Sequence, residues 1–257
     1  MKTKHLLLLL LLCCSAALHA QNEKQMLSVE FGYGINQFDM GSINQFYIDS
    51  FAAKPSVDLL EERITSGQHF RLGINYRPMG LFDFGFYGSY QYGNSESNIT
   101  RSITDETGAP ISNASGTFEL RTEAIGAGLS TNWYISHLLK FQEKENKLRR
   151  LHLGLELNGG IGFSRAVTDL RFETALTGYE YNSFSSRDFQ GQGGIKVEYD
   201  FTDSPVIASL GVRLGYQYFS TQTLQDRVGR DWIVGAAHPI SLNFSGGYFG
   251  VYVKIGR

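Results

Sequence analysis

Apolar and polar residues alternate strictly along much of the chain. From Leu27 to Asn36 every second residue is apolar, and the same period recurs over residues 69–77, 151–163 and 189–201. Since successive side chains of a β-strand point to opposite faces, this period predicts strands with one apolar and one polar face. Three more segments follow the same rule: residues 82–93, 207–218 and 249–255.

The segment 117–135 is less regular. Near its start the apolar residues, such as Leu120, occupy even-numbered positions. Further along, Ile125 and Leu129 occupy odd-numbered positions, so the alternation shifts by one residue. A β-bulge inserts one extra residue into a strand, so a bulge near Ala124 would account for the shift. With this segment the chain has eight predicted strands.

The connections between these strands alternate in length. Residues 78–81 and 202–205 are tight turns, whereas residues 136–149 form a longer, helix-like connection. Outer-membrane barrels pair short periplasmic turns with long outside loops, so the alternation favours a membrane barrel with both chain ends on the periplasmic side. The predicted outside loops are residues 37–67, 94–116, 165–187 and 220–246.

The polar face of the predicted strands carries many charges. A soluble barrel of eight strands has an apolar interior, which such a face could not supply. In a membrane barrel this face lines the lumen, where the two signs can pair. We favour a structural plug of ion pairs, with a narrow conduit or gate as the alternative. The predicted lumen charges are Glu30, Arg71, Glu119, Arg121, Glu123, Glu156, Lys196, Glu198 and Arg213.

Composition and aromatic positions agree with a membrane barrel. The mean hydropathy is −0.19, which suits strands that show lipid only every second residue. Aromatic rings, which collect at both membrane interfaces, fall toward the ends of the predicted strands. The predicted interface rings are Tyr33, Tyr76, Tyr92, Trp133, Phe163, Tyr199, Phe201 and Tyr218.

The first twenty residues differ from the rest. Lys2 and Lys4 precede a leucine run, and small residues follow, which is the pattern of a secretory signal peptide. We expect residues 1–20 to be removed and residues 21–257 to form an outer-membrane β-barrel domain. Cleavage after Ala17, or lipidation of a cysteine at the cut, are the alternatives. Both cysteines of the chain lie in this segment, so the mature protein would have no thiol.

The sequence predicts no catalytic, cofactor or metal site. His69, His137, His152 and His238 are dispersed, and His152 is about 13 Å by strand rise from Glu156 on the same strand face, too far for a base and its orienting carboxylate. The formal net charge of −2 offers no basic footprint for nucleic acid. We therefore expect a protein that is not an enzyme.

These features resemble the small outer-membrane β-barrel proteins of the OmpA/OmpX type. The similarity covers about residues 26–256, and the last strand, Tyr248 to Ile255, is similar to the family's C-terminal insertion signal, although Gly256 and Arg257 replace the usual terminal aromatic. It implies an all-β fold, a single antiparallel transmembrane barrel of about eight strands in an up-and-down meander. It also implies a monomer in the cell outer membrane that contacts lipid and the barrel-assembly machinery.

The expected function lies outside the barrel wall. Eight strands enclose a lumen that side chains can fill, which favours a structural, surface-interaction or adhesion role with an extracellular partner for the long loops. Restricted transport of a small solute and a lipid-modifying enzyme are the alternatives. In the last loop Trp232 either forms a contact patch or packs on the barrel rim.

Overall fold

The protein folds as one closed antiparallel β-barrel in a computed structural model that describes residues 26–48, 63–104, 110–139, 147–172, 179–201, 207–234 and 238–256. The predicted signal peptide and the turn at 202–205 lie outside these residues. Strands adjacent in the barrel follow one another along the chain, and the first strand pairs with the last to close the ring. The predicted eight-stranded meander is confirmed.

The barrel strands differ in length. Four of them have 22–25 residues, although a membrane-spanning strand needs only about 9–11. The barrel strands are β1 (Met26–Gln37), β2 (Ser66–Met79), β3 (Phe82–Thr104), β4 (Pro110–Tyr134), β5 (Leu151–Phe172), β6 (Tyr179–Asp200), β7 (Ile207–Tyr218) and β10 (Gly246–Ile255). Outside the barrel lie the strands β8 (Ile233–Val234) and β9 (His238–Pro239), the π-helical turn Ile43–Ile48, the helix Ile135–Leu138 and the 3-10 turn Lys147–Arg150.

An apolar belt surrounds the barrel. Phe86 and Leu129 on its outer face are 67% and 62% exposed, and every barrel strand contributes at least one such side chain. An apolar surface that encircles a protein is far larger than water-soluble monomers expose and marks a membrane-facing surface. Among the described helices, none has the length and apolar character needed to cross a bilayer.

The bulge predicted near Ala124 is absent, and that prediction is wrong. The register of β4 with β3 runs without interruption from Trp133 to Ser112, and its register with β5 is equally regular. Both Leu120 and Ala124 point inward, so the strand keeps one phase throughout. What changes is the chemistry of its two faces: beyond the belt the inside is apolar and the outside is polar.

The second and third predicted outside loops are mostly strand, which also corrects the sequence prediction. β3 continues to Thr104 and β4 begins at Pro110, while β5 reaches Phe172 and β6 begins at Tyr179. Serine- and asparagine-rich segments resemble loops by composition, yet here they pair in continuous antiparallel register. β3 to β6 therefore continue beyond the membrane as an extended wall.

The described parts of the first and last outside loops, residues 38–48, 63–65, 219–234 and 238–245, pack together over the outer mouth of the barrel. Loop 1 (residues 38–65) meets loop 4 (residues 219–245) where the Met40 N–H donates to the Asn243 carbonyl, 2.9 Å away. Beneath them lies a buried apolar cluster, here called the cap. It consists of Phe38, Met40, Ile43, Ile48, Ile64, Ile99, Phe118, Leu120, Ala124, Ala166, Phe219, Leu224, Trp232, Ile240, Leu242 and Phe244.

Candidate functional site: the filled lumen and its cap

Two carboxylates on opposite sides of the lumen hold three cations. Glu30 on β1 binds Lys196 of β6 at 2.8 Å and also pairs with Arg213 of β7. Glu156 on β5 binds Arg71 of β2 at 2.7 Å and lies 3.5 Å from Arg213. Each cation is thus bound by a strand other than its own, and the pairs span the lumen. These five buried side chains form the central cluster.

A second ionic cluster lies at the periplasmic end of the lumen. Glu198 accepts from Lys254 at 2.6 Å, from Arg77 at 3.3 Å and from the Tyr252 hydroxyl at 3.0 Å. Asp83 accepts from the Tyr134 hydroxyl at 2.7 Å. Rings also face the cations: the Arg77 guanidinium lies 4.0 Å above the centre of the Tyr134 ring, a cation–π contact. The inner mouth is therefore closed by paired charges and rings.

The opposite charges in the two clusters nearly balance. Five buried cations, Arg71, Arg77, Lys196, Arg213 and Lys254, face four buried carboxylates, Glu30, Asp83, Glu156 and Glu198, a net of 5 − 4 = +1. A selective pore would present a ring of one sign to the passing ion. Paired charges of both signs satisfy each other, which is the arrangement of a plug.

Six of the nine charges predicted to line the lumen do so. Glu30, Arg71, Glu156, Lys196, Glu198 and Arg213 are all buried there. Glu119, Arg121 and Glu123 are not, and that part of the prediction is wrong. They lie on the outer face of β4, where Arg121 and Glu119 pair at 3.2 Å with about a third of each side chain exposed. The assumed bulge had assigned them to the wrong face.

Three charged members of the periplasmic cluster are not among the predicted lumen charges. Asp83, Arg77 and Lys254 each stand in the polar phase of an alternating strand, so the signal that identifies lumen residues was present. The contact of His152 with Asp200, whose side chains meet at 2.8 Å, is likewise not predicted from the sequence. That contact joins neighbouring strands, and its residues are 48 apart in sequence.

A layer of amides separates the central cluster from the cap. The Gln91 side-chain amide donates to the Gln217 oxygen at 2.8 Å, and Gln192 donates to the same oxygen at 2.6 Å. Gln217 in turn donates to the Phe244 carbonyl of loop 4 at 3.2 Å. The amides therefore connect loop 4 to the lumen side chains.

A cavity beside the central cluster is very small. The cavity bounded by Gly32, His69, Arg71, Arg213 and Gly250 measures about 10 Å³. A single water molecule needs roughly 10–15 Å³ of such volume. A solute larger than water does not fit this space unless the side chains move.

Aromatic rings border both edges of the apolar belt. At the periplasmic edge the rings of Phe82 and Trp133 lie 5.9 Å apart, and those of Tyr199 and Phe201 lie 5.4 Å apart. At the outer edge Tyr33 lies 5.1 Å from Phe70. The architecture is that of an outer-membrane β-barrel. The other predicted interface rings, Tyr76, Tyr92, Phe163 and Tyr218, also lie on the outer face of this barrel.

Trp232 packs into the cap. It is only 8% exposed, stacks on Phe184 with ring centres 4.2 Å apart, and meets Tyr47 edge-on at 4.9 Å. Burial raises the pKa of Tyr47 to about 12, so this ring stays neutral at any physiological pH. Of the two interpretations of Trp232, the structure shows the packed one.

The described residues contain no group of three or more His, Cys, Asp or Glu side chains placed to hold a metal ion. Charged groups within the lumen are already paired with one another. The site is therefore a filled and capped lumen, and the accessible polar surface lies on the outside of the barrel wall and on the loops.

The outer-membrane barrel is similar to several solved structures. Ail of Yersinia pestis in complex with the heparin analogue sucrose octasulfate matches 91% of this chain and all of its own, at 11% identity and a TM-score of 0.40. Neisserial surface protein A matches the same shares at 12% identity and a TM-score of 0.39. The outer-membrane protease OmpT of Escherichia coli matches 93% of this chain and all of its own, at 8% identity and a TM-score of 0.35.

Identities this low say nothing about activity. No protein-family model matches the sequence, and no curated protein matches it.

Proposed function

We propose that this protein is a non-enzymatic, non-conducting outer-membrane barrel that acts by surface interaction or adhesion through its outer loops. The observation that carries this proposal is the filled lumen, with a central ionic cluster, a layer of amides and an apolar cap in series. A channel needs a continuous polar path, and here the cap interrupts it. The described parts of the loops over the cap, residues 38–48, 63–65, 219–234 and 238–245, are packed and hydrogen-bonded, so they present an ordered surface outward.

The tip of loop 4 is an exposed part of this surface. Val228 is 74% exposed at a turn that Asp226 stabilises by accepting from the backbone N–H groups of Val228 and Arg230, each at 2.9 Å. The bond from the Arg230 N–H is the main reason that the pKa of Asp226 is lowered. Ile233 on β8 is exposed as well. A hydrogen-bonded turn with exposed apolar side chains offers two points of contact for another surface.

Attachment of cells that display the protein tests this role. Cells with the wild-type barrel should attach to polystyrene, and the double variant Val228→Ser, Ile233→Ser should lose most of that attachment because its two apolar contacts are gone. Asn94→Ser, a change on the outer face of β3, is the matched control and should attach like the wild type. Equal attachment by cells that lack the protein would contradict the proposal.

The absence of enzymatic activity has its own test. The lipids of cells that display the barrel should have the same composition as the lipids of cells that do not. A new lipid species that appears only with the folded barrel would identify a lipid-modifying enzyme instead.

A further inference from the structure

An opening in the outer wall lies beside β6. β7 ends at Tyr218, opposite Gly191, so the part of β6 beyond this point has no β7 neighbour. The backbone of loop 4 next pairs with β6 at Ser185, where two backbone hydrogen bonds of 2.8 and 2.9 Å join it to Gln225. Between these two points the wall is open, and a groove of about 600 Å³ lies there.

The lining of this groove is rich in hydroxyl and amide groups. These are the side chains of Ser164, Ser185, Ser186, Gln222, Thr223 and Gln225. Groups of this kind donate and accept hydrogen bonds without carrying charge, as sugar hydroxyls do. The exposed ring of Phe163 adds an apolar face at one side of the groove.

The groove also contains one arginine that is not used in a salt bridge. Arg187 lines it, is exposed, and forms no salt bridge with any residue in the described part of the chain. Arg165 is its diagonal neighbour on β5, about 7–8 Å away by strand geometry, and its guanidinium donates to the neutral Ser183 and Tyr181 hydroxyls.

Several carboxylates lie near these arginines without pairing with them. The Asp188 carboxylate accepts from the Phe189 N–H at 2.8 Å, and Asp231 accepts from the Gln225 side-chain amide at 2.9 Å. Asp226 lines the groove, but Arg230 binds it at 2.8 Å. Glu123 lies directly across from Arg165 in the register of β4 and β5, and it forms no salt bridge with Arg165. The free positive charge is therefore centred on Arg187, the arginine within the groove.

The position of the groove relative to the membrane interface determines which ligands can reach it. Phe163, Phe189 and Tyr218 are exposed on the outer face at the outer ends of the apolar belt, where aromatic rings mark the membrane interface. The groove opens at this level, so its entrance faces lipid headgroups rather than bulk solvent. A ligand at this height would carry its own acyl chains in the bilayer and its polar part in the groove.

We propose that this groove binds the phosphorylated sugar headgroup of an outer-leaflet glycolipid. The serine, threonine and glutamine side chains bind the sugar, Phe163 packs against its apolar face, and Arg187, flanked by Arg165, binds the phosphate. Guanidinium groups bind phosphate through charge-assisted hydrogen bonds in a planar, bidentate geometry. This role is separate from adhesion through Val228 and Ile233, which do not line the groove.

Binding can be measured on the full-length folded barrel in nanodiscs of phosphatidylcholine that contain a small fraction of lipid A. Native mass spectrometry should show retained lipid A on the wild type. Arg187→Gln should reduce retention about tenfold, because it removes a charge-assisted contact, and Arg165→Gln should reduce it less. Arg121→Gln, which removes a charge from the outer face of β4, is the matched control and should retain lipid A like the wild type.

Two other lipids test separately whether the phosphate and the sugar of the ligand are needed for binding. Lipid A without its phosphates should be retained weakly, and phosphatidylglycerol, which has a phosphate but no sugar, should also be retained weakly. Retention of phosphatidylglycerol equal to that of lipid A would overturn the sugar part of the proposal. Equal losses in the Arg121 and Arg187 variants, or no loss in either, would overturn the site.

Discussion

At the scale of single residues, the lumen side chains depend on one another. Glu156 has no exposed surface and contacts Arg71 and Arg213, while Asn158 donates to it at 2.7 Å. A buried ion pair adds little net stability when complete, but removal of one partner leaves the other charged and buried. Stability should therefore respond to any single neutralisation in the central cluster.

Glu156→Gln should lower the free energy of unfolding by about 3–5 kcal/mol, since Arg71 and Arg213 lose a buried counter-charge. Urea titration of the barrel refolded in lipid vesicles measures this difference. Glu119→Gln is the matched control, because it breaks a partly exposed pair and should cost about 1 kcal/mol or less. Equal effects of the two substitutions would show that the central cluster is not dry and paired.

At the scale of elements, the membrane part and the outer part of the long strands differ in polarity. In the membrane part the outer face contacts lipid and is apolar, so the alternation of segments such as 27–36 and 151–163 predicts these strands. Beyond the membrane the outer face no longer contacts lipid. There β3 to β6 continue as strands with polar outer faces, and their sequences resemble those of loops. The cap could not be predicted from the sequence either, because contacts between the loops that form it, such as Ser42 with Ser241, join residues 199 positions apart.

The difference between the membrane part and the outer part of the strands also explains which lumen charges could be predicted. Six lumen charges could be predicted because alternation sets their face, whereas Glu119, Arg121 and Glu123 lie where the polarity of the two faces reverses. Alternation gives the face of a residue and not its partner. The pairing of Arg71 with Glu156 depends on how the sheet closes, which no local pattern contains.

The cap depends on one close approach of loop 4 to the barrel wall. A Cβ added to Gly162 on β5 would lie 2.5 Å from the Phe219 ring. Gly162→Ala should therefore displace Phe219 and lower stability by about 1–3 kcal/mol. Hydrogen exchange of the Leu224 and Phe244 amides, which are bonded inside the cap, should accelerate.

Gly88→Ala is the control for this prediction, because the nearest atom to its added Cβ is 3.9 Å away. It should leave the exchange of both amides unchanged. Slow exchange of the Leu224 and Phe244 amides in the Gly162 variant would show that the cap does not rest on this contact.

At the scale of the whole molecule, the barrel consists of two parts with opposite polarity. The membrane part is apolar outside and ionic inside, because its surroundings are lipid and its lumen is narrow. The outer part is polar outside and apolar inside, like a water-soluble barrel, and loops 1 and 4 complete its core. The lumen is therefore filled at two successive levels, by the ionic clusters in the membrane part and by the apolar cap in the outer part.

The conductance of the purified barrel in a planar lipid bilayer tests the central claim, that this lumen is sealed. Protein whose folded state is first verified by heat-modifiable gel mobility should insert without producing discrete current steps, because the ionic clusters and the cap each block the path. Reproducible current steps from the folded wild-type protein would contradict the account and would identify a channel.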